Sequence, residues 1–354
     1  MLKKIVLTFT LLIPGLAFSF DGSGLQISLA GDMVYDTGLN SGSSAEDKLA
    51  MRGAEIMFYT PVDHNFDGVL SAAAHDENGE TVFELHELYL SSNKLIPRGR
   101  VKAGQFFLGV GRLNQIHQHD WPFIRAPKVH ETFFDSEGVF DAGIEFGYLL
   151  PTDSYWDLSF GLTSGHRYGH AHTAGSKPSA PTHYVRLETF KELSASTDGL
   201  KIGFNYLGRT DEQKNSMSLG GIDLVAKWRD GKRLTYLLQS EAWYRSVKDI
   251  NGDENQQVGL YVFNQFGLSD SLLIGARLDG FKDLSKRNSI TDKKINNVSY
   301  AISPELTWKS SEFATFRAGF SHSFTKEEGK TIEEDTRFEL QLVFILGAHP
   351  AHNF

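Results

Sequence analysis

The sequence predicts an all-β protein, a transmembrane antiparallel β-barrel of about sixteen strands with a long third outer loop. Three observations lead there. From Leu25 onward, apolar and polar residues alternate with period two, and the polar set carries full charges. The connections between these segments are short and long by turns. The chain opens with an export signal, and no other apolar run reaches the ~20 residues of a membrane helix.

Composition supports this class. The 354 residues include 34 glycines, 26 phenylalanines and only 10 prolines, with 40% hydrophobic and 22% charged residues. That mixture excludes a polytopic helical membrane protein. Cysteine is absent, which excludes a disulfide scaffold, thiolate metal sites and cysteine catalysis. A net charge of −9 argues against a nucleic-acid partner.

Lys3 and Lys4 form a basic n-region, Ile5 to Leu16 an apolar stretch, and Ala17-Phe18-Ser19 a small-x-small cleavage site. Residues 1–19 therefore read as a signal peptide and 20–354 as a single barrel domain, exported to the bacterial outer membrane. Strands are predicted over 25–35, 50–60, 66–75, 82–92, 99–107, 137–150, 154–163 and 180–192. The second half adds 199–208, 218–229, 234–246, 256–267, 270–281, 297–308, 312–322 and 336–347. Trp156, Leu158, Phe160 and Leu162 alternate with Asp157, Ser159 and Gly161. Val298, Tyr300, Ile302, Leu306 and Trp308 alternate with Ser299, Ala301, Ser303, Glu305 and Thr307.

A soluble sandwich alternates as well, so the connections carry the distinction. Pro61–Asn65, Asn93–Pro97, Pro151–Asp153 and Asp230–Arg233 are short turns. Asp36–Asp47, Leu108–Ser136, Ser164–Ser179, Lys282–Asn296 and Thr325–Asp335 are longer and polar. This asymmetry belongs to outer-membrane barrels, whose short turns are periplasmic. Tyr155, Trp156, Trp228, Tyr236, Trp243, Tyr244 and Trp308 sit near strand ends, where amphipathic rings meet the bilayer boundary. The polar face offers Asp141, Glu145, Glu188, Asp223, Glu241, Asp279, Glu305 and Glu339 to the lumen. Arg186, Lys227, Arg229, Arg245, Arg277, Arg317 and Arg337 share that face, and opposed acidic and basic walls would set up a transverse field. Sixteen strands are enough to enclose water, whereas eight are filled by side chains.

Several stretches carry a family resemblance. They are Phe83-Glu84-Leu85-His86-Glu87-Leu88-Tyr89-Leu90, Gly104-Gln105-Phe106-Phe107, Gly111-Arg112-Leu113-Asn114 and His117-Gln118-His119-Asp120-Trp121. Phe133-Phe134, Glu137-Gly138 and Gly169-His170-Ala171-His172 complete the set. With the barrel pattern, these resemble the Gram-negative porin superfamily, and within it the porin-like proteins described as zinc-regulated. Some of those carry a TonB-dependent receptor label. Such receptors have a plug ahead of a 22-stranded barrel, and here the first strand follows the signal almost directly, so passive diffusion is expected. The resemblance implies that the loop over 108–136 folds into the lumen as the constriction, presenting Arg112, Asn114, His117, His119 and Asp120. It also implies a homotrimer. The terminal Phe354 resembles an outer-membrane insertion signal, although Pro350 leaves a tail, 349–354, beyond the last strand.

The 13 histidines cluster. His117, His119 and Asp120 lie in the third loop, with His130 further along, and His166, His170 and His172 lie in the fourth. Imidazole and carboxylate suit Zn²⁺ at neutral pH, and the candidate metal site is His117, His119, Asp120, His166, His170 and His172. Incidental, solvated histidines are the competing reading. His64, His75 and His322 read as strand-end residues, and His86 lies where the alternation becomes unclear. Asp63-x-Asn65-x-Asp67-Gly68 resembles the start of a calcium loop but has Ala74 at the twelfth position, so it reads as a turn.

The function expected from these features is a non-enzymatic, water-filled porin for passive uptake of small solutes, tuned to divalent metal ions such as zinc. No resident cofactor is implied beyond transient Zn²⁺, and the partners are outer-membrane lipid and the solutes themselves. A non-conducting metal-binding receptor and a general porin are the alternatives.

Overall fold

The computed structural model describes residues 24–77, 80–168, 178–193, 198–287 and 294–347. The expected signal peptide and the tail 349–354 lie outside these. The first eight long strands are β1 (Gln26–Gly38), β2 (Leu49–Pro61), β3 (Asp67–Glu77), β4 (Glu80–Ser92), β5 (Gly99–Phe107), β6 (Phe140–Leu149), β7 (Tyr155–Thr163) and β8 (Ala180–Glu192). They are followed by β9 (Gly199–Thr210), β10 (Ser216–Asp230), β11 (Arg233–Lys248), β12 (Glu254–Gly267) and β13 (Leu272–Arg287). The last three are β14 (Asn297–Lys309), β15 (Ala314–Glu327) and β16 (Lys330–Gly347). A two-residue segment, Lys294–Ile295, adds a final rung to β13.

Each long strand pairs antiparallel with its neighbours in sequence. β16 returns to β1, pairing from Ser28 with Gly347 to Gly38 with Arg337. The sheet is thus a closed sixteen-strand barrel. In hydrocarbon, closure is what satisfies the backbone groups that an edge would leave bare.

The faces are inverted relative to a soluble protein. Leu158, Phe160 and Leu162 are exposed while Asp157 and Ser159 are buried. Ile302, Leu306 and Trp308 are exposed while Glu305 and Thr307 are buried. Apolar side chains therefore meet lipid, and charged ones meet the lumen. Trp228, Tyr236 and Phe266 stack in sequence at 5.2 and 4.8 Å beside the Asp230–Arg233 turn, and Trp308 stacks on Phe316 at 5.1 Å. These form part of an aromatic girdle at the short-turn end. Trp243 does not belong to it: it points inward and is 2% exposed.

The expected long loop over Thr325–Asp335 is corrected. β15 and β16 stay paired out to Glu327 and Lys330, joined by Glu328 and Gly329 with φ of 51° and 81°. Positive φ at both central positions is the hairpin turn whose twist matches its strands, and Gly329 adopts it without strain. This ladder reads as loop in sequence because both of its faces are polar and largely exposed. At the other end, Asp63 Oδ1 accepts from the N–H groups of Asn65 and Phe66 at 2.7 and 2.9 Å, so the calcium-loop look-alike is a turn.

The inversion makes a prediction. Leu158→Arg, on the outer face, is expected to lower refolding stability in lipid vesicles by about 2–4 kcal/mol. Ser323→Arg, on the cavity side, is expected to change it far less. Equal losses in a urea titration would contradict the assignment of the faces.

Candidate functional site

The third connection, residues 108–139, enters the lumen. Its ends are tied together at the mouth. Leu108 N–H donates to Val139 O, Asn114 Nδ2 donates to the carbonyls of Leu108 and Val139, and Val139 N–H donates to Asn114 Oδ1 at 2.6 Å. Within the loop, Leu113–Gln115 and Gln118–Asp120 form single 3₁₀ turns and Lys128–Phe134 a short helix, α1.

One side of the loop is apolar and packs onto the wall. Trp121, Phe123, Val129, Phe133 and Phe134 are buried against Tyr184, Leu207, Trp243, Tyr261, Phe263 and Phe281. Phe134 meets Trp243 edge-on at 4.8 Å, and Phe123 meets Phe263 at 5.2 Å. The wall also grips the loop's backbone. Glu241 accepts from the N–H groups of Leu113 (2.8 Å) and Arg112 (3.2 Å), from Trp243 Nε1 (2.9 Å) and from the Tyr261 hydroxyl (3.2 Å). Gly111 N–H donates to Asn205 Oδ1 at 3.0 Å, beside the two-pronged Arg186–Asp223 pair at 2.5 and 2.9 Å. Gly111 has φ 66°, and a Cβ there would run into Glu241 and Trp243, so this close approach requires glycine.

The other side of the loop is held by arginines. Arg52 donates to Ile124 O and pairs with Asp32, Arg277 donates to Arg125 O, and Arg317 Nη2 donates to Trp121 O at 2.9 Å. Arg125 reaches outward to Glu339 and to Asp36, the latter at 2.6 Å. Between this side and the wall lies a cavity of about 580 Å³, lined by residues including Asp36, Glu46, His75, Glu131, Glu137, Asp279 and Arg337. Its charges are paired across short distances, such as Arg277 with Asp279 at 3.0 Å and Arg337 with Asp36 at 3.4 Å. Acid and base are therefore intermixed around this cavity. Glu145, Asp223 and Glu241 are buried away from this cavity, on Tyr184, Arg186 and the backbone of Leu113 respectively.

The sequence-predicted residues divide. His117, His119 and Asp120 come together at the junction of the loop with β2 and β4. His117 Nδ1 lies 2.9 Å from Glu55 Oε1, and its Nε2 lies 3.1 Å from Glu87 Oε2. His119 bridges Glu55 Oε2 at 3.3 Å and Asp120 Oδ2 at 3.2 Å. Burial opposes charge on both rings, but the surrounding carboxylates prevail. His117 is held well above the ordinary imidazole range by Glu55 and Glu87. His119 is raised to about 9 by Asp120 and Glu55. Asn114 is used inside the loop, and Arg112 sits beside Glu241; neither lines the open cavity. His166 is in neither of the two donor groups described below, and His170 and His172 lie outside the described residues. His130 is packed edge-on against Trp121 at 5.1 Å, and burial pushes its imidazole down to about 3, which keeps it neutral.

Two histidines that sequence reasoning set aside join the site. His75 and His86 face each other with their Nε2 atoms 3.2 Å apart. With His117 and His119 they form a column of imidazoles, with ring centres 5.1, 6.2 and 5.7 Å apart in the order 75, 86, 117, 119. His86 reaches the column through a β-bulge. Ser71 pairs with Glu87 and Ala72 with Leu85, which leaves His86 as the extra residue. Consecutive residues His86 and Glu87 are then both buried. The Glu84-x-His86-Glu87 run was the available signal, but a period of two cannot place three inward residues out of four.

A closed sixteen-strand barrel with an apolar outer wall and an inserted third loop is the architecture of a bacterial outer-membrane barrel. Residues 92–326 match the family described as TonB dependent receptor-like, beta-barrel, and the chain belongs to that family. The receptor label set aside on the sequence is therefore the family's own, carried by the barrel. A protein of Aquifex aeolicus (strain VF5), described as uncharacterized, is 27% identical over 344 residues, covering 85% of this chain and 69% of that one. Among solved structures, the outer membrane channel DcaP of Acinetobacter baumannii is 12% identical, covering 91% of this chain and 96% of its own, with a TM-score of 0.62. The anion-selective porin from Comamonas acidovorans is 11% identical, with 91% and 100% covered and a TM-score of 0.60. OmpT of Vibrio cholerae in its trimer form is 8% identical, with 91% and 99% covered and a TM-score of 0.58. These likenesses show the fold of outer-membrane porins and channels.

The grip of Glu241 on the loop is testable. Removing a buried acceptor of several hydrogen bonds is expected to cost about 1–3 kcal/mol. Glu241→Ala should release the segment Gly111–Gln118, seen as new protease cleavage there in the folded, detergent-solubilised barrel. Unchanged resistance would show that the apolar packing and the remaining polar contacts seat the loop without Glu241.

Proposed function

We propose that this protein is a porin, a passive outer-membrane channel for small hydrophilic solutes. The observation that carries this reading is the charged cavity of about 580 Å³ left between the inserted loop and one wall of a closed sixteen-strand barrel. The barrel is wide enough to hold water, and the loop narrows it. The role is conduction and not catalysis. The imidazole–carboxylate chemistry of His117, His119, Asp120 and Glu55 beside that cavity supports a preference for divalent metal ions such as zinc. A conducted ion has to be held weakly enough to leave, so transient binding is the form such tuning takes. Assembly as a homotrimer draws on the porin fold, of which OmpT is known in a trimer form.

A second reading, a non-conducting metal-binding receptor, draws on the tight seating of the loop against the wall. Single-channel recording in planar bilayers separates the two. Stepwise conductance is expected, partly blocked by micromolar Zn²⁺, with the block lost in a His117→Ala/His119→Ala variant. Conductance indifferent to zinc would leave a general porin. Zinc binding without conductance would favour the receptor. Light scattering of the detergent-extracted protein is expected to give three chains per particle, and a monomer mass would remove the trimer.

A further inference from the structure

The histidine column contains two overlapping sets of metal donors. Glu55, His86 and His117 each place one ligand atom within 4.8 Å of the others, and so do His75, His86 and Glu137. In the inner set, Glu55 Oε1 lies 2.9 Å from His117 Nδ1 and 3.9 Å from His86 Nδ1. In the outer set, Glu137 Oε1 lies 3.4 Å from His75 Nδ1, and its Oε2 lies 3.7 Å from His86 Nε2. Zinc–nitrogen and zinc–oxygen bonds near ~2.0 Å put tetrahedral ligands roughly 3.3 Å apart. The carboxylate-to-imidazole separations of both sets, 2.9 to 3.9 Å, therefore bracket that of a filled site. His86 belongs to both sets, facing the inner one with Nδ1 and the outer one with Nε2.

Two further features fit an ion. A cavity of about 30 Å³ sits among Asp32, Glu55, His75, His86, His117, His119 and Glu137, enough for one small ion or water. His75 and Glu137 line both this cavity and the large one, so the outer set opens onto the solvated lumen. The bulge that turns His86 inward is the second feature, because re-aiming a side chain is what bulges beside functional sites do.

We propose that this junction is a divalent transition-metal site, with Glu55, His86 and His117 as the holding set and His75 and Glu137 as the loading set. Glu55 and His86 belong to the barrel wall, whereas His117 belongs to the third loop. A bound ion displaces the proton that His117 shares with Glu55, releases it to solvent, and fastens the loop to β2 and β4. The donors are imidazole and carboxylate without thiolate, which selects Zn²⁺, Ni²⁺ or Cu²⁺ over Cu⁺. The inference deepens the metal-tuned channel reading and rests on that reading only for its meaning in transport. Binding is measured in detergent, so failure to bind and failure to conduct are separate results.

The test is equilibrium dialysis of the full-length folded protein against Zn²⁺, with the visible absorption of Co²⁺ as a second probe. About one ion per chain is expected. His86→Ala and Glu55→Gln should each weaken binding at least about 100-fold, beyond the about 10–100-fold that loss of a merely supporting partner causes. His64→Ala, at an exposed turn, serves as the control. Folding of each variant is verified by its migration on unheated gels, and a variant that does not fold is replaced by His117→Gln. Intense Co²⁺ bands lost in the His86 or His117 variant would support the site. Absence of stoichiometric binding would overturn it. So would binding that survives His86→Ala and is abolished by His166→Ala, which would move the site to the fourth loop.

Discussion

A sheet surrounded by hydrocarbon has to close on itself, because water is not available to pair the N–H and C=O groups of an edge. The ladder from β1 to β16 meets that requirement here. Closure with sixteen strands then creates a second problem. The enclosed space is too wide for wall side chains to fill, so whatever occupies it decides how much room is left. The third loop is the chain's answer. It is tied at its mouth by Asn114, packed by aromatic rings on one side and held by arginines on the other.

The two sides of that loop divide the lumen. Toward Trp243, Tyr261 and Phe263 the interior is dry, and charged groups such as Glu241 and Asp223 are there because backbone donors or an arginine fork meet them. Toward β1–β3 and β13–β16 the interior is polar and open. A loop lying free in water could not keep this division. Its backbone is fixed at Gly111, Arg112 and Leu113 on the dry side, and at Trp121, Ile124 and Arg125 on the open side.

Two bulges prepare the junction where the histidines meet. In β2, Asp32 pairs with Gly53 and Met33 with Met51, so Arg52 is the extra residue and turns to the loop. In β4 the extra residue is His86. Two strands flanking β3 thus each break their alternation once, and each break delivers a polar side chain to the third loop. The imidazoles stack there beside Glu55, Glu87, Asp120 and Glu137, a concentration of donors well beyond what seating a loop needs.

Much of the barrel was legible in the sequence. The alternation of Trp156 to Leu162 and of Val298 to Trp308, with the short turns between segments, determined the strands, the faces and the membrane, because lipid and lumen impose a strict period of two. That period also set the limit of the reading. It could not see the bulge at His86, and it mistook the protruding β15–β16 hairpin for a loop because no buried face marks it. His117 and His119 were visible as candidates, but their partners Glu55, His75 and His86 lie 31 to 64 residues away along the chain. Only the closed barrel, by bringing β2, β3 and β4 against the third loop, decided which histidines meet and left His130 among aromatic rings.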